Sequence, residues 1–100
     1  MTTDDSKLEA GPVRDNPAQR RFEMDTPGGV AFASYRKSGD VFVVNHTETP
    51  LAVRGRGYGD VLVKGVLDAI RAEGGQITPL CSFVAIYMRR HPETQDLLAR

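Results

Sequence analysis

The chain has 100 residues, 40% hydrophobic and 26% charged, with thirteen basic side chains balanced by thirteen acidic ones. That length makes one domain, able to bury roughly two thirds of its unfolded surface in a core. A zero net charge excludes the electrostatic footprint of general nucleic-acid or anionic-membrane binding, and a lone cysteine excludes an internal disulfide and fits a reducing compartment.

In chain order, the opening Met1-Thr2-Thr3-Asp4-Asp5 is acidic where a secretory signal would be basic, and no apolar segment follows it. Gly11, Pro12, Asn16 and Pro17 interrupt residues 1–18 without any hydrophobic period, so a flexible N-terminal segment is expected there. Order is expected to begin at Arg20, with one domain over residues 19–100. Phe22 and Met24 alternate with Arg21, Glu23 and Asp25, the pattern of a strand with one face in water. Pro27-Gly28-Gly29 marks a turn, Val30 to Tyr35 a second strand, and Lys37-Ser38-Gly39-Asp40 another turn. Val41-Phe42-Val43-Val44 is apolar on both faces and reads as an interior strand. Short turns between these three runs predict an antiparallel meander.

The period then changes. Leu62, Val66 and Ile70 recur every four residues between Tyr58 and Glu73, with Val63 and Leu67 beside them, a helical stripe stopped by Gly74-Gly75. Gln76 to Leu80 reads as a fourth strand, parallel to the third through a right-handed crossover. Ser82 is placed to cap a second helix running to about Arg90, ended by His91-Pro92, and Glu93 to Ala99 reads as a last short helical turn. That helix holds the longest apolar run, Phe83 to Met88, far too short for a bilayer. The predicted class is α+β, in the order β-β-β-α-β-α, with helices packed on a mixed sheet. Pro79 cannot donate a ladder hydrogen bond, so strands three and four should part at their carboxyl ends, where open sheets tend to bind ligands.

Arg54-Gly55-Arg56-Gly57-Tyr58-Gly59 lies between strand three and the first helix. Alternating glycines leave backbone N–H groups uncovered where a helix dipole is positive, and Arg54 and Arg56 add charge, with Lys64 within reach one turn later. The expected ligand is an anion, most simply phosphate. The third glycine comes one residue early for a dinucleotide fingerprint, and Lys64-Gly65 breaks a Walker loop. Asp60, in the first helical turn, opposes an anion there. An ordinary glycine turn with surface arginines stands as the plainer reading of the same residues.

The spacing Arg54-x-x-Gly57-x-Gly59 resembles the pyrophosphate loop of the GNAT N-acetyltransferases. His46-Thr47-Glu48, the loop, Pro79 through Ala85, and Arg89-Arg90-His91-Pro92-Glu93 together resemble the compact YjdJ-like branch of that superfamily over roughly residues 18 to 98. The resemblance implies a GNAT-like sheet, acetyl-CoA as cosubstrate, an amine acceptor, and a coenzyme-binding loop of Val53, Arg54, Gly55, Arg56, Gly57, Tyr58 and Gly59. Position 60 departs from the small residue usual in the family.

Cys81 falls at the end of strand four and just before a helix, a setting that lowers a thiol pKa. Related proteins carry a cysteine there regarded as catalytic, which implies a part in acetyl transfer, as a transient acetyl-thioester or by positioning the thioester. His46 and Glu48 follow strand three and share a face, while Thr47 takes the other. A primary amine must lose a proton before it attacks, and the resemblance implies a base near Glu48 and His46. Tyr87 on the second helix corresponds loosely to a family tyrosine that protonates the departing thiolate; between Ile86 and Met88, an amphipathic core role is its commoner explanation. Two histidines 45 positions apart and one cysteine form no metal-ligand motif. The expected activity is N-acetyl transfer in the cytoplasm without nucleic-acid or membrane partners. The alternative is a non-catalytic coenzyme A-binding or acyl-sensing module. The chain lacks the segments that wall the acceptor site in larger relatives, so a homodimer, with a second copy as the wall, is one expected arrangement.

Overall fold

Strand alternation and one helical stripe build the molecule around a single core. The computed structural model describes residues 8–100, in which β1 (Arg14–Asn16), β2 (Arg21–Thr26), β3 (Gly29–Ser38), β4 (Val41–Glu48) and β5 (Gln76–Pro79) form one sheet in that order. Neighbours run antiparallel up to β4, and β4 pairs with β5 in parallel. The connection from β4 to β5 carries a 3-10 turn, Leu51–Val53, and α1 (Tyr58–Ala72). α2 (Ser82–Arg90) and a 3-10 helix, Pro92–Leu97, close the chain. The expected α+β architecture and its parallel crossover pair are therefore present, with one strand more than the sequence suggested.

Phe22, Met24, Ala33, Phe42, Val44 and Ile77 project from one face of the sheet and are fully buried against Leu62 and Ile70 of α1. α2 adds Val84 and Met88 to the same cluster. Each of these side chains larger than alanine contributes about 1.5–3 kcal/mol through burial. No helix among the described residues is long and apolar enough to cross a membrane.

Residues 1–7 of the expected flexible segment lie outside the described residues. The rest of it differs from expectation, because Arg14–Asn16 is a strand and order does not wait for Arg20. No apolar residue marks this strand; side-chain polarity holds it. The Tyr35 hydroxyl donates to Asp15 at 2.6 Å, and Arg14 reaches both carboxylate oxygens of Asp25. Arg14, Asn16 and Arg21 all donate to Glu23, which is thereby buried instead of facing water as simple alternation predicted. Arg21 bonding comes first among the causes that hold the Glu23 carboxyl below its ordinary value, against the opposing pull of burial. At the start of α2, Cys81 takes the N-cap position predicted for Ser82, and Ser82 is the first helical residue, so the helix begins one place earlier than predicted.

Candidate functional site

Proline chemistry opens the site. β4 and β5 pair from Val41↔Gln76 to Val44↔Pro79, and there the ladder stops. The next two amides, Leu80 and Cys81, both donate to the Val44 carbonyl, at 2.9 and 3.1 Å, and swing the chain away. β4 continues to Glu48 against β3. The resulting cleft of about 430 Å³ is lined by His46, Thr47, Glu48, Thr49, Arg54, Gly59, Cys81 and Phe83.

A bulge in β4 decides which side chains face the cleft's interior. Ser34 pairs with His46 but Tyr35 pairs with Val44, so Asn45 is an extra residue. The Ser34 hydroxyl pins it, donating to Asn45 Oδ1 at 3.1 Å and lying 3.4 Å from the His46 carbonyl. Beyond the bulge, Thr47 pairs with the inward-facing Ala33, and His46 and Glu48 share the outer face with Ser34 and Phe32. His46 Nε2 and Glu48 Oε1 lie 3.6 Å apart, both more than half exposed. Thr47 Oγ1 lies 3.6 Å from Cys81 Sγ.

Cys81 is half-buried against the core. Burial pushes its thiol pKa up, but the Thr47 hydroxyl, the amides of Val84 and Phe83 at the start of α2, and the Thr47 backbone outweigh this, and the net direction is down. The thiol therefore reaches its nucleophilic form more readily than an ordinary cysteine.

The glycine loop closes the other end. Gly55 and Gly57 have φ of +83° and +93°, and Gly57 is the left-handed N-cap of α1. The Phe83 ring seats on Gly59, since a Cβ there would stand 2.7 Å from its Cζ. Arg54 is oriented by a bond from Nη2 to the Thr49 carbonyl at 3.2 Å. Val53 and Tyr58 turn their side chains into the core, which leaves only their backbone for the loop. Lys64 does not join the arginines: it pairs with Asp68 at 2.8 Å and lines a separate pocket with Leu67 and Arg71.

His46, Glu48, Cys81, Arg54 and Gly59 thus meet in one cleft. Tyr87 does not. It is buried on α2, stacked on His91 with ring centroids 4.0 Å apart, and lines two other pockets. Sequence reasoning gave no role to Thr47, Thr49 or Phe83. Phe83 carried a readable signal, two places after Cys81 at a helix start; Thr47 did not, because its inward aim depends on the bulge. Among the described residues, no group of three His, Cys, Asp or Glu side chains is arranged to hold a metal ion.

A family model described as GCN5-related N-acetyl-transferase matches residues 21–97. The solution NMR structure of a GCN5-like candidate N-acetyltransferase from Staphylococcus aureus superposes with a TM-score of 0.62. At 22% identity over 94% of this chain and 90% of that one, this likeness bears on the fold. No curated protein matches.

Proposed function

The chain belongs to the family of GCN5-related N-acetyltransferases, and from that premise we propose that it takes acetyl-CoA in the β4–β5 cleft and moves the acetyl group to an amine, as a compact, YjdJ-like member. The observation that carries the reading is the union in one cavity of the loop residues Arg54 and Gly59 with Cys81 and Glu48. The residues fit the cosubstrate. Gly55 and Gly57 adopt conformations that leave amides open to an anion, and Arg54 stands on the cleft wall.

Acetyl-CoA, when bound, supplies an activated thioester. The loop amides of Gly55, Gly57, Tyr58 and Gly59, with the side chains of Arg54 and Arg56, hold its pyrophosphate; the Arg56 amide is taken by the Val53 carbonyl. Glu48, beside His46, accepts the proton that the acceptor ammonium must lose. Cys81 acts at the thioester, as nucleophile or by positioning it, with its sulfur favoured toward thiolate. Tyr87 lines not this cleft but an adjoining pocket that shares the Phe83 ring with it. The acceptor side, on the outer sheet face, is walled by the acceptor itself, a partner or a second copy.

Thermal unfolding against acetyl-CoA tests the reading, with free-thiol release in the presence of small primary amines as the second assay. At a hundredfold its Kd, a ligand stabilises the fold by about 2.7 kcal/mol. For a domain of this size that raises Tm by roughly ten degrees or more. Glu48→Gln should keep the shift and lose about a hundredfold or more in turnover. Binding without turnover in the wild type would make the protein a coenzyme A-binding module. The absence of any shift at millimolar ligand would refute the assignment.

A further inference from the structure

We propose that Thr47 is a positioning residue for Cys81, its hydroxyl holding Sγ at the point where β4 and β5 part and donating to the sulfur when the thiol gives up its proton. The inference rests on the reading above for the part Cys81 plays in transfer, but its test needs no coenzyme A.

Three observations carry it. The contact, 3.6 Å between Oγ1 and Sγ, joins residues 34 positions apart across the gap where the backbone ladder has ended. Next, a structural device delivers Thr47 to that gap. Counted from Val44, strict alternation would turn His46 inward; the extra residue Asn45, held by Ser34, resets the phase and turns Thr47 inward. Finally, both partners are stiff. The Cys81 backbone is tied to the Val44 carbonyl through its own amide and that of Leu80, and a threonine is restricted at χ1. A hydroxyl on such a frame fixes the direction of the sulfur, whereas a flexible side chain would not.

The charged and titratable groups that share the cleft with the thiol are His46 and Glu48 on β4 and Arg54 ahead of α1. α2 contributes no titratable side chain to the cleft, only the Phe83 ring and the amides of Val84 and Phe83. These neighbours are unchanged in Thr47 variants, so a difference between variants reports on the hydroxyl.

Cys81 is the chain's single cysteine, so iodoacetamide alkylation of the folded protein reads this thiol alone. The experiment is the alkylation rate against pH for wild type, Thr47→Val and Thr47→Ser, with Tm measured for each. Valine keeps the shape and removes the hydroxyl. It should move the midpoint up and slow alkylation near neutral pH about three- to tenfold, while serine restores the wild-type midpoint. A midpoint that stays put in the valine variant, with or without a change in Tm, would reduce Thr47 to packing and overturn the proposal. A midpoint that falls would also overturn it, because the thiol would then be the donor. The acetyl-CoA thermal shift of the wild type is scored separately. Its absence would sink the acetyltransferase reading while the alkylation profiles still decide the role of Thr47.

Discussion

Gly57→Ala isolates the backbone requirement of the loop. At φ +93° Gly57 occupies a region that L-residues rarely enter, and a Cβ there would meet only Leu8 Cδ1, at an ordinary 3.8 Å. The cost is therefore local to the residue's own backbone, with no clash against surrounding side chains. A left-handed conformation costs a non-glycine residue about 1–2 kcal/mol. Alanine recovers about 0.4–1 kcal/mol of that by stiffening the unfolded chain. Because +93° is well past the left-handed minimum near about +57°, the net loss should lie near about 1–1.5 kcal/mol. For a domain of this length that lowers Tm by roughly 5–10 °C. Asparagine enters left-handed space more readily, so Gly57→Asn should lose about half as much. Calorimetric unfolding with and without acetyl-CoA reads both consequences. If alanine forces the loop to flip, the amides are re-aimed and the ligand-induced shift falls in addition to the intrinsic Tm. An alanine variant as stable as wild type, with its full ligand shift, would refute the claim that this φ sets the loop.

Gly65→Ala should lower stability although alanine gains about 1 kcal/mol over glycine inside a helix. The new Cβ would overlap Val13 Cγ2 and crowd its Cβ, and overpacking of that kind costs about 1–3 kcal/mol. Adding Val13→Ala should recover most of the loss in Tm; a rise in Tm for Gly65→Ala alone would show that the segment before β1 does not pack as described. Glu23 predicts an acid-limb effect. Its carboxyl is held below the ordinary value of 4.5, first by bonding from Arg21 and further by Asn16 and Arg14, against burial. A depressed folded pKa contributes stability that is complete above the unfolded value and is lost as pH falls through the folded one. Wild type should therefore lose Tm more steeply than Glu23→Gln below about pH 4.5, and parallel acid limbs would refute the pairing.

Fold and site were legible to different depths. Leu62, Val66 and Ile70 sit at strict helical spacing, and Phe22 and Met24 alternate with charged residues. Their burial therefore followed from periodicity, and the parallel β4–β5 pair followed from the intervening helix. Pro79 announced the end of the ladder because its missing N–H is a local property. β1 was hidden for the opposite reason. Arg14, Asp15 and Asn16 carry no hydrophobic signal, and the partners that hold them, Tyr35, Asp25 and Glu23, are distant in sequence. The bulge at Asn45 exists only in the register between β3 and β4, and so did the aim of Thr47. Lys64 and Tyr87 were each a turn from a plausible site, but helix rotation and packing gave one to Asp68 and the other to His91.

The same bulge has a consequence for chemistry on the proposed reading. β4 presents Thr47 to the helix side, where Cys81 packs against the core that α1 and α2 cover. It presents His46 and Glu48 to the opposite side, which is exposed along with Val30 and Arg36. The thiol and the base therefore reach the cleft from different faces of one sheet, and the place both can address is the edge where β4 and β5 separate. A thioester laid through that gap has its sulfur side toward Cys81 and its carbonyl open toward Glu48. An amine must then arrive from the uncovered face, where the Phe32 ring already lies under the Arg21 guanidinium at 4.6 Å and beside the His46 ring. Little there would grip a particular acceptor, since a selective site needs buried polar groups that the wrong ligand leaves unpaired. Selectivity on this scaffold has to come from whatever covers that face, and a search for the acceptor belongs with amines displayed on larger molecules before free metabolites.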